Sequence, residues 1–336
     1  MRAATIRDGQ VGVEEHPDPV PGSGEVLVRV HAAGLNGADI LQRKGGYPAP
    51  AGSPADIPGL ELAGEVVALG RGATRFAVGD RIMGIVGGGG QAELCPVHER
   101  QLMPVPDGLD RVAAGGLPEV FTTAHDALFT QGLLKPGERL LVHGGAGGVG
   151  TAAVQLARRA GAHVTATVRD RERRDGVAAL GAHAVLDPED FEAHGPYDVV
   201  LELVGAPNLP GDLKALATGG RIVVIGVGAG AKAELNLLAL MGKRGTLRAS
   251  TLRARPLEEK AVTARLMEAQ VLPGFADGSL SVPIADTFAL DAVADAYARF
   301  VVDLLDALKL QRVVLGGNSL GGEIAWRTAW LQPARV

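Results

Sequence analysis

The stretch "VHGGAGGVGTAAVQLA", residues 142–157, constrains this chain more than any other. Gly145, Gly147 and Gly150 fall at G-x-G-x-x-G spacing, with an apolar run before them and apolar positions at helical spacing after them. A strand, a tight turn and a helix are therefore expected in immediate succession. The first glycine permits the turn, the second lets backbone approach a diphosphate, and the third lets helix and strand pack closely. The unpaired N–H groups at the helix start favour the same anion. Gly145, Ala146, Gly147, Gly148, Val149 and Gly150 are accordingly the candidate residues for binding a dinucleotide, the alternative being a simple packing turn.

The surrounding pattern agrees with that reading. "RLLVHGG" (139–145), "AHVTATV" (162–168), "DVVLELVG" (198–205) and "RIVVIGVG" (221–228) are compact apolar runs that end near Gly or a polar turn. Strands without polar alternation, interleaved with helical segments, imply a parallel sheet covered on both faces. Residues 1–120 differ: short alternating segments such as "EVLVRVHAAG" (25–34) and "ELAGEVVALG" (61–70) predict a partly open β-rich domain. Residues 257–275 and 290–308 read as amphipathic helices. At the end of the second apolar strand, where NAD enzymes usually carry an acid for the ribose 2′-OH, stands Arg169. A guanidinium binds a 2′-phosphate in bidentate fashion, so NADPH is the expected cofactor. Asp170 beside it works against that preference, and the other reading of Arg169 and Arg171 is a solvated turn.

Composition excludes several classes. The 336 residues carry a net charge of −5, with 33 basic and 38 acidic side chains spread along the chain, so no nucleic-acid partner is expected. The cluster "RDRERR" (169–174) is local. Cys95 is the lone cysteine, which rules out an intrachain disulfide or a multi-cysteine zinc site and suggests a reducing, cytoplasmic setting. The opening residues lack a signal-peptide layout, and charges interrupt every apolar run before spanning length, so no membrane insertion is expected.

Six blocks in order, "AAGLNGADILQRKGGYP" (32–48), "PGLELAGEV" (58–66), "GGGGQAELCPV" (87–97), "LPEVFTTAHDAL" (117–128), the glycine loop and "KRGTLRASTLRAR" (243–255), give residues 1–300 a resemblance. The chain resembles the zinc-free, zeta-crystallin-like quinone oxidoreductases of the medium-chain dehydrogenase/reductase superfamily. The resemblance implies an α/β protein: a central doubly wound Rossmann sheet and a β-rich, GroES-like catalytic domain split between both chain ends. The expected division is 1–120 and 258–317 for the catalytic domain, 121–257 for the NADP(H)-binding domain, and 318–336 for a peripheral tail. The implied activity is NADPH-dependent hydride transfer to a quinone or related conjugated carbonyl. An enoyl or alkenal C=C reductase and a non-catalytic, crystallin-like NADPH-binding protein are the alternatives.

By the same resemblance, Asn36 and Tyr47 lie on the substrate side, while Thr123 and Gly226, Val227 and Gly228 line the nicotinamide. Tyr47 is expected to stack on the acceptor ring, to hydrogen-bond its oxygen, or only to pack its own loop. Related alcohol dehydrogenases hold catalytic zinc with Cys and His, whereas the matching segments here read "GLNGAD" and Gly59-Leu60-Glu61, so no metal is expected. Isolated Glu61 and His125 read as satisfied polar residues. The family's adenosine-side Asn-Tyr pair is replaced by Leu186-Asp187. A homodimer joined at residues 245–254 is also implied; the other reading is an edge strand protected by Arg248 and Arg253.

Gly317-Asn318-Ser319-Leu320-Gly321 fits the G-x-S-x-G nucleophile elbow, and residues 301–336 resemble the matching fragment of an α/β-hydrolase. No His follows Ser319 in this sequence, so hydrolysis is not expected, and "RVVLGG" (312–317) is read as a terminal strand.

Overall fold

The computed structural model describes residues 1–307; the hydrolase-like motif at Gly317–Gly321 and the strand expected at 312–317 lie outside the described residues. Two compact units divide the chain. Of the described residues, the first comprises Met1–Glu119, Arg253–Ala276 and 284–307; the second comprises Val120–Leu252 and Asp277–Pro283.

In the first unit, β1 (Arg2–Arg7) and β2 (Gln10–Glu15) form an antiparallel hairpin. Its two-residue loop is Asp8-Gly9, both at positive φ (49° and 77°), the backbone that matches the twist of the flanking strands. Five further strands follow: β3 (Glu25–Ala32), β4 (Glu61–Leu69), β5 (Arg81–Ile85), β6 (Leu94–His98) and β7 (Leu102–Pro104). They pair antiparallel in the order β6-β3-β4-β5-β7. Val26 and Val28 alternate inward along β3 against Leu62, Val66, Ile82 and Val97, which explains the period-two pattern of the sequence. β4 breaks that pattern, because all of Glu61–Gly64 is buried. A second core joins Ala4 and Val11 of the hairpin to Ile40 and to Val293, Tyr297 and Ala298 of the helix Val293–Ala307. Both ends of the sequence therefore contribute to one unit.

In the second unit, β8 (Arg139–Val142), β9 (His163–Thr167), β10 (Ala184–Leu186), β11 (Tyr197–Glu202), β12 (Leu216–Val224) and β13 (Thr246–Ala249) form one wholly parallel sheet. Numbered from β8, the order β10-β9-β8-β11-β12-β13 is 3-2-1-4-5-6, the doubly wound Rossmann arrangement. Leu140–Val142 and Val199–Leu201 are fully buried, as unalternating apolar runs require. The strand order reverses between β8 and β11. In such sheets that point, outside the carboxyl ends of the strands, is where ligands bind.

Helix Leu257–Gln270 is followed by a separate helix Leu272–Ala276, so the single helix expected over 257–275 is interrupted. Pro273 explains this, since its ring cannot occupy a helix interior without removing a hydrogen bond.

Candidate functional site

The glycine loop leaves β8 and enters the helix Gly148–Arg159, as the spacing predicts. Gly145 N–H donates to Thr167 O at 3.0 Å, Gly147 N–H to Gly144 O at 3.0 Å, and Thr151 N–H to Gly147 O at 2.8 Å. Gly145 and Gly150 are buried, whereas Gly147 and Gly148 are exposed. A Cβ on Gly150 would overlap Gly144 O and lie 2.8 Å from Gly145 Cα, so this position serves packing. A Cβ on Gly147 meets only Gly144 O, at 3.4 Å, so the space beside Gly147 is not occupied by protein. Helix geometry leaves the first-turn N–H groups without intrahelical acceptors. Open space in front of converging donors fits a diphosphate.

Beneath the loop lies a buried polar network. His143 Nδ1 is 3.0 Å from Thr167 Oγ1, and His143 Nε2 is 2.8 Å from Asp212 Oδ1. Glu202, at the end of β11, accepts from Gly205 N–H at 2.7 Å. Burial pushes the Glu202 carboxyl upward, opposed by His143 and reinforced by Asp212. These bonds tie the ends of β8 and β9 to each other and to the helix Leu209–Ala215, and shape the turn after β11.

Arg169 directly follows β9, and among the described residues it has no carboxylate partner. Asp170 is engaged elsewhere: it accepts from Glu172 N–H at 3.0 Å and pairs with Arg173 at 3.2 Å. Arg174 donates to Val168 O and to Asp187 Oδ2. Gly226–Gly228 follow β12; Ile225 and Gly226 N–H donate to Glu202 O, and the Ala229 N–H to Val204 O joins this loop to the turn after β11. The glycine loop, Arg169 and Gly226–Gly228 thus all stand at carboxyl ends of parallel strands. Thr123 is buried in the helix Pro118–His125, from which Val120 reaches toward Gly148.

In the first unit, Asn36 precedes the helix Gly37–Arg43. Its backbone N–H donates to Asp39 Oδ2 at 2.8 Å, and Asp39 Oδ1 accepts from Gly59 N–H at 3.0 Å. The Asn36 amide Nδ2 donates to Glu61 Oε1 at 2.8 Å, while Glu61 Oε2 accepts from Glu119 N–H at 2.8 Å. Burial raises the Glu61 carboxyl to about 7, against the pull of the Glu119 and Asn36 donors. Asp39 is raised to about 6 by burial, opposed by the Asn36 and Gly59 N–H bonds and by Arg253. Tyr47 is held from behind. Arg253, 4% exposed, donates to Tyr47 O (2.9 Å), Gly87 O (2.8 Å) and Gln42 Oε1 (2.5 Å), and its guanidinium lies 5.1 Å from the Tyr47 ring centroid. Arg253 is therefore an interior clamp and does not protect a sheet edge as the sequence suggested. Burial also shifts the Tyr47 phenol upward.

The donor set around Asn36 does not fit a catalytic zinc ion. Leu60 is packed in the core, Asn36 and Glu61 bond to each other, and Cys95 is buried with its thiol pushed up to about 12. His125 belongs to the other unit and packs on Phe129. Among the described residues, the one group of three metal-capable side chains drawn together is His143, Glu202 and Asp212, of which His143 and Asp212 are already joined by a hydrogen bond. Sequence reasoning read Glu61 only as a satisfied polar residue and Arg253 as an edge guard; an acid inside the apolar run "GLELAGEVV" is the signal that could have singled out Glu61.

The profile of the family described as "Alcohol dehydrogenase GroES-like domain" matches residues 22–107, and that of "Zinc-binding dehydrogenase" matches residues 148–268. The human quinone oxidoreductase is 32% identical over 295 residues, covering 84% of this chain and 87% of that protein. A quinone oxidoreductase structure from Pseudomonas syringae pv. tomato DC3000 superposes with a TM-score of 0.78 at 28% identity, covering 90% of this chain and 97% of that one. An alcohol dehydrogenase superfamily protein from Novosphingobium aromaticivorans gives 0.78 at 30% identity, covering 90% and 95%.

Proposed function

The chain belongs to the quinone oxidoreductase branch of the medium-chain dehydrogenase/reductase superfamily, and from that premise we propose that it reduces quinones or related conjugated carbonyls with NADPH, without zinc. The observation that carries this reading is the donor set at Asn36: its segment holds no cysteine, its amide is bonded to buried Glu61, and Leu60, packed in the core, stands where a metal-dependent relative needs an imidazole. An acceptor that already withdraws electrons does not need a metal to polarise it, but it does need a donor at the oxygen where negative charge develops.

The proposed roles divide between the units. In the second unit, Gly145–Gly150 hold the diphosphate, Arg169 binds the 2′-phosphate, and Thr123 with Gly226–Gly228 bound the nicotinamide. When bound, NADPH supplies the hydride. In the first unit, the Asn36 amide stabilises the oxyanion. Tyr47, fixed by Arg253, covers the acceptor ring and excludes water. Arg169, without a carboxylate partner among the described residues, supports NADPH over NADH, since a guanidinium already paired with a carboxylate has less to offer a phosphate.

Homodimerisation is part of the same proposal. Among the described residues β13 pairs only with β12, and all four of its residues are exposed. Beside it the helix Leu237–Lys243 exposes Leu237, Leu238 and Met241 at 64%, 78% and 69%. An open edge next to apolar side chains fits a second copy. None of the described helices is long and apolar enough to cross a membrane. A steady-state screen of NADPH and NADH against quinones and enones tests the reading: NADPH with a quinone is the expected best pair, and absence of turnover with every acceptor contradicts it.

A further inference from the structure

The first unit holds a cavity of about 520 Å3 that neither Asn36, Tyr47 nor Glu61 lines. Its walls are Arg75 from the loop after β4, Glu99 and Arg100 from the short helix Glu99–Gln101, and Ala261, Val262 and Arg265 from the helix Leu257–Gln270. On that helix Glu258, Ala261, Val262, Arg265 and Glu268 recur every three or four residues, so one face carries them all. Three guanidiniums from three separate elements thus meet at one concavity.

The carboxylates at hand leave these cations under-matched. Arg75 and Arg265 both donate to a single atom, Glu268 Oε1, at 2.6 and 2.8 Å. Arg100 pairs with both oxygens of Glu258, at 2.5 and 2.6 Å, but Glu258 is 72% exposed, and a pair in contact with water adds little. Glu99 Oε2 accepts from the backbone N–H groups of Thr74 and Arg75, at 2.7 and 2.6 Å, so this carboxylate serves the loop. Arg265 also keeps its Nε–H buried with no acceptor among the described residues. Burial lowers the Arg265 pKa, Glu268 opposes that shift, and the charges of Arg75 and Arg100 add to it, so the three cations repel one another. An oxyanion among them would relieve the repulsion, and a guanidinium has more N–H donors than these bonds use.

We propose that this cavity binds a phosphomonoester, its phosphate dianion held among Arg75, Arg100 and Arg265 and its organic part against Ala261 and Val262. Guanidiniums take phosphate oxygens in bidentate fashion, and a doubly charged group gains more from three of them than a singly charged one. Val262 is 59% exposed, an apolar side chain left open beside the cations. The volume holds more than a phosphate ion alone. The glycine loop and Arg169 belong to the other unit, so this site is separate from the one assigned to the dinucleotide.

Calorimetric titration of the full chain tests the proposal, with NADP+ in excess and at about pH 7.5, where a phosphomonoester is mainly dianionic. Phenyl phosphate should bind one molecule per chain. It should bind more tightly than inorganic phosphate, which lacks the ring, and than benzenesulfonate, which carries a single charge. Arg265→Gln and Arg100→Gln should each weaken phenyl phosphate by at least about tenfold, while Arg169→Ala should leave it unchanged. Should Arg265→Gln fail to fold, Arg100→Gln decides, since its guanidinium is 45% exposed. No binding of phenyl phosphate, equal binding of the three probes, or wild-type affinity in a folded Arg265→Gln or Arg100→Gln protein overturns the proposal. Loss of affinity in Arg169→Ala overturns it too, by moving the probe to the dinucleotide site. The readout is binding alone, so it stands whether or not the chain reduces a quinone.

Discussion

Substituting Gly147 and Gly150 separately with alanine distinguishes space kept for a ligand from space filled by protein, within one four-residue stretch. At Gly150 the new methyl would overlap Gly144 O and crowd Gly145 Cα at 2.8 Å, backbone atoms that move only with the loop itself. Overpacking of this kind costs about 1–3 kcal/mol. At about 2–4 °C per kcal/mol for a domain of this size, the unfolding midpoint should drop by roughly 2–12 °C. At Gly147 the backbone is extended (φ −78°, ψ 164°) and the nearest atom is 3.4 Å from the added Cβ. Alanine there should be neutral, or stabilising by about 0.4–1 kcal/mol through the unfolded chain. Its methyl nevertheless projects into the space assigned to the diphosphate, and NADPH affinity should fall by at least about tenfold, or 1.4 kcal/mol. Thermal unfolding without cofactor, followed by circular dichroism, reads the first effect; fluorescence titration with NADPH reads the second. Wild-type affinity in Gly147→Ala would reduce the loop to a packing turn, and an unchanged midpoint in Gly150→Ala would contradict the packing argument.

Arg169→Ala should raise KM for NADPH by a factor corresponding to about 1–3 kcal/mol and leave NADH nearly unaffected; equal losses with both cofactors would remove Arg169 from specificity. The Glu61 carboxyl, raised from 4.5 to about 7 in the folded protein, makes folding bind a proton. Stability is therefore full below about pH 4.5 and falls as pH rises through 7, by roughly 3 kcal/mol. Urea midpoints at pH 5 and pH 8 should show that fall in wild type and not in Glu61→Gln, and persistence of the full fall in the variant would refute it. Ser319→Ala should leave quinone reduction unchanged, and the protein should not cleave simple esters. Ester turnover abolished by that substitution would restore Ser319 as a nucleophile.

The parts of the site built from backbone were legible in the sequence, because their chemistry lies in local spacing. The strand, turn and helix around Gly145, Gly147 and Gly150 are specified by neighbouring residues alone, and the switch from alternating to continuous apolar runs marked the parallel sheet. The place of Arg169 was legible for the same reason, just after a recognisable strand. The roles of Glu61 and Arg253 were not, since their partners are remote in sequence: Asn36 is 25 residues and Glu119 58 residues from Glu61, and Arg253 reaches back 206 residues to Tyr47 and 211 to Gln42. β10 has only three residues, too few for a periodic signal. β12 begins at Leu216, ahead of the apolar run at Arg221, and carries Gly219 and Gly220 that read locally as a turn. Pairing with Tyr197 of β11 overrides that local preference.

The most direct test of the account is product analysis after a single turnover, with chelator-treated protein and NADPH deuterated at the transferred position. Mixed with a 1,4-quinone, the protein should oxidise one NADPH per hydroquinone formed at a rate unaffected by metal removal; an enone offered alone should be reduced more slowly. Loss of quinone reduction on chelation, restored by stoichiometric zinc, would contradict the metal-free mechanism. Deuterium recovered on carbon in a saturated carbonyl, with no quinone turnover, would replace the quinone assignment with C=C reduction.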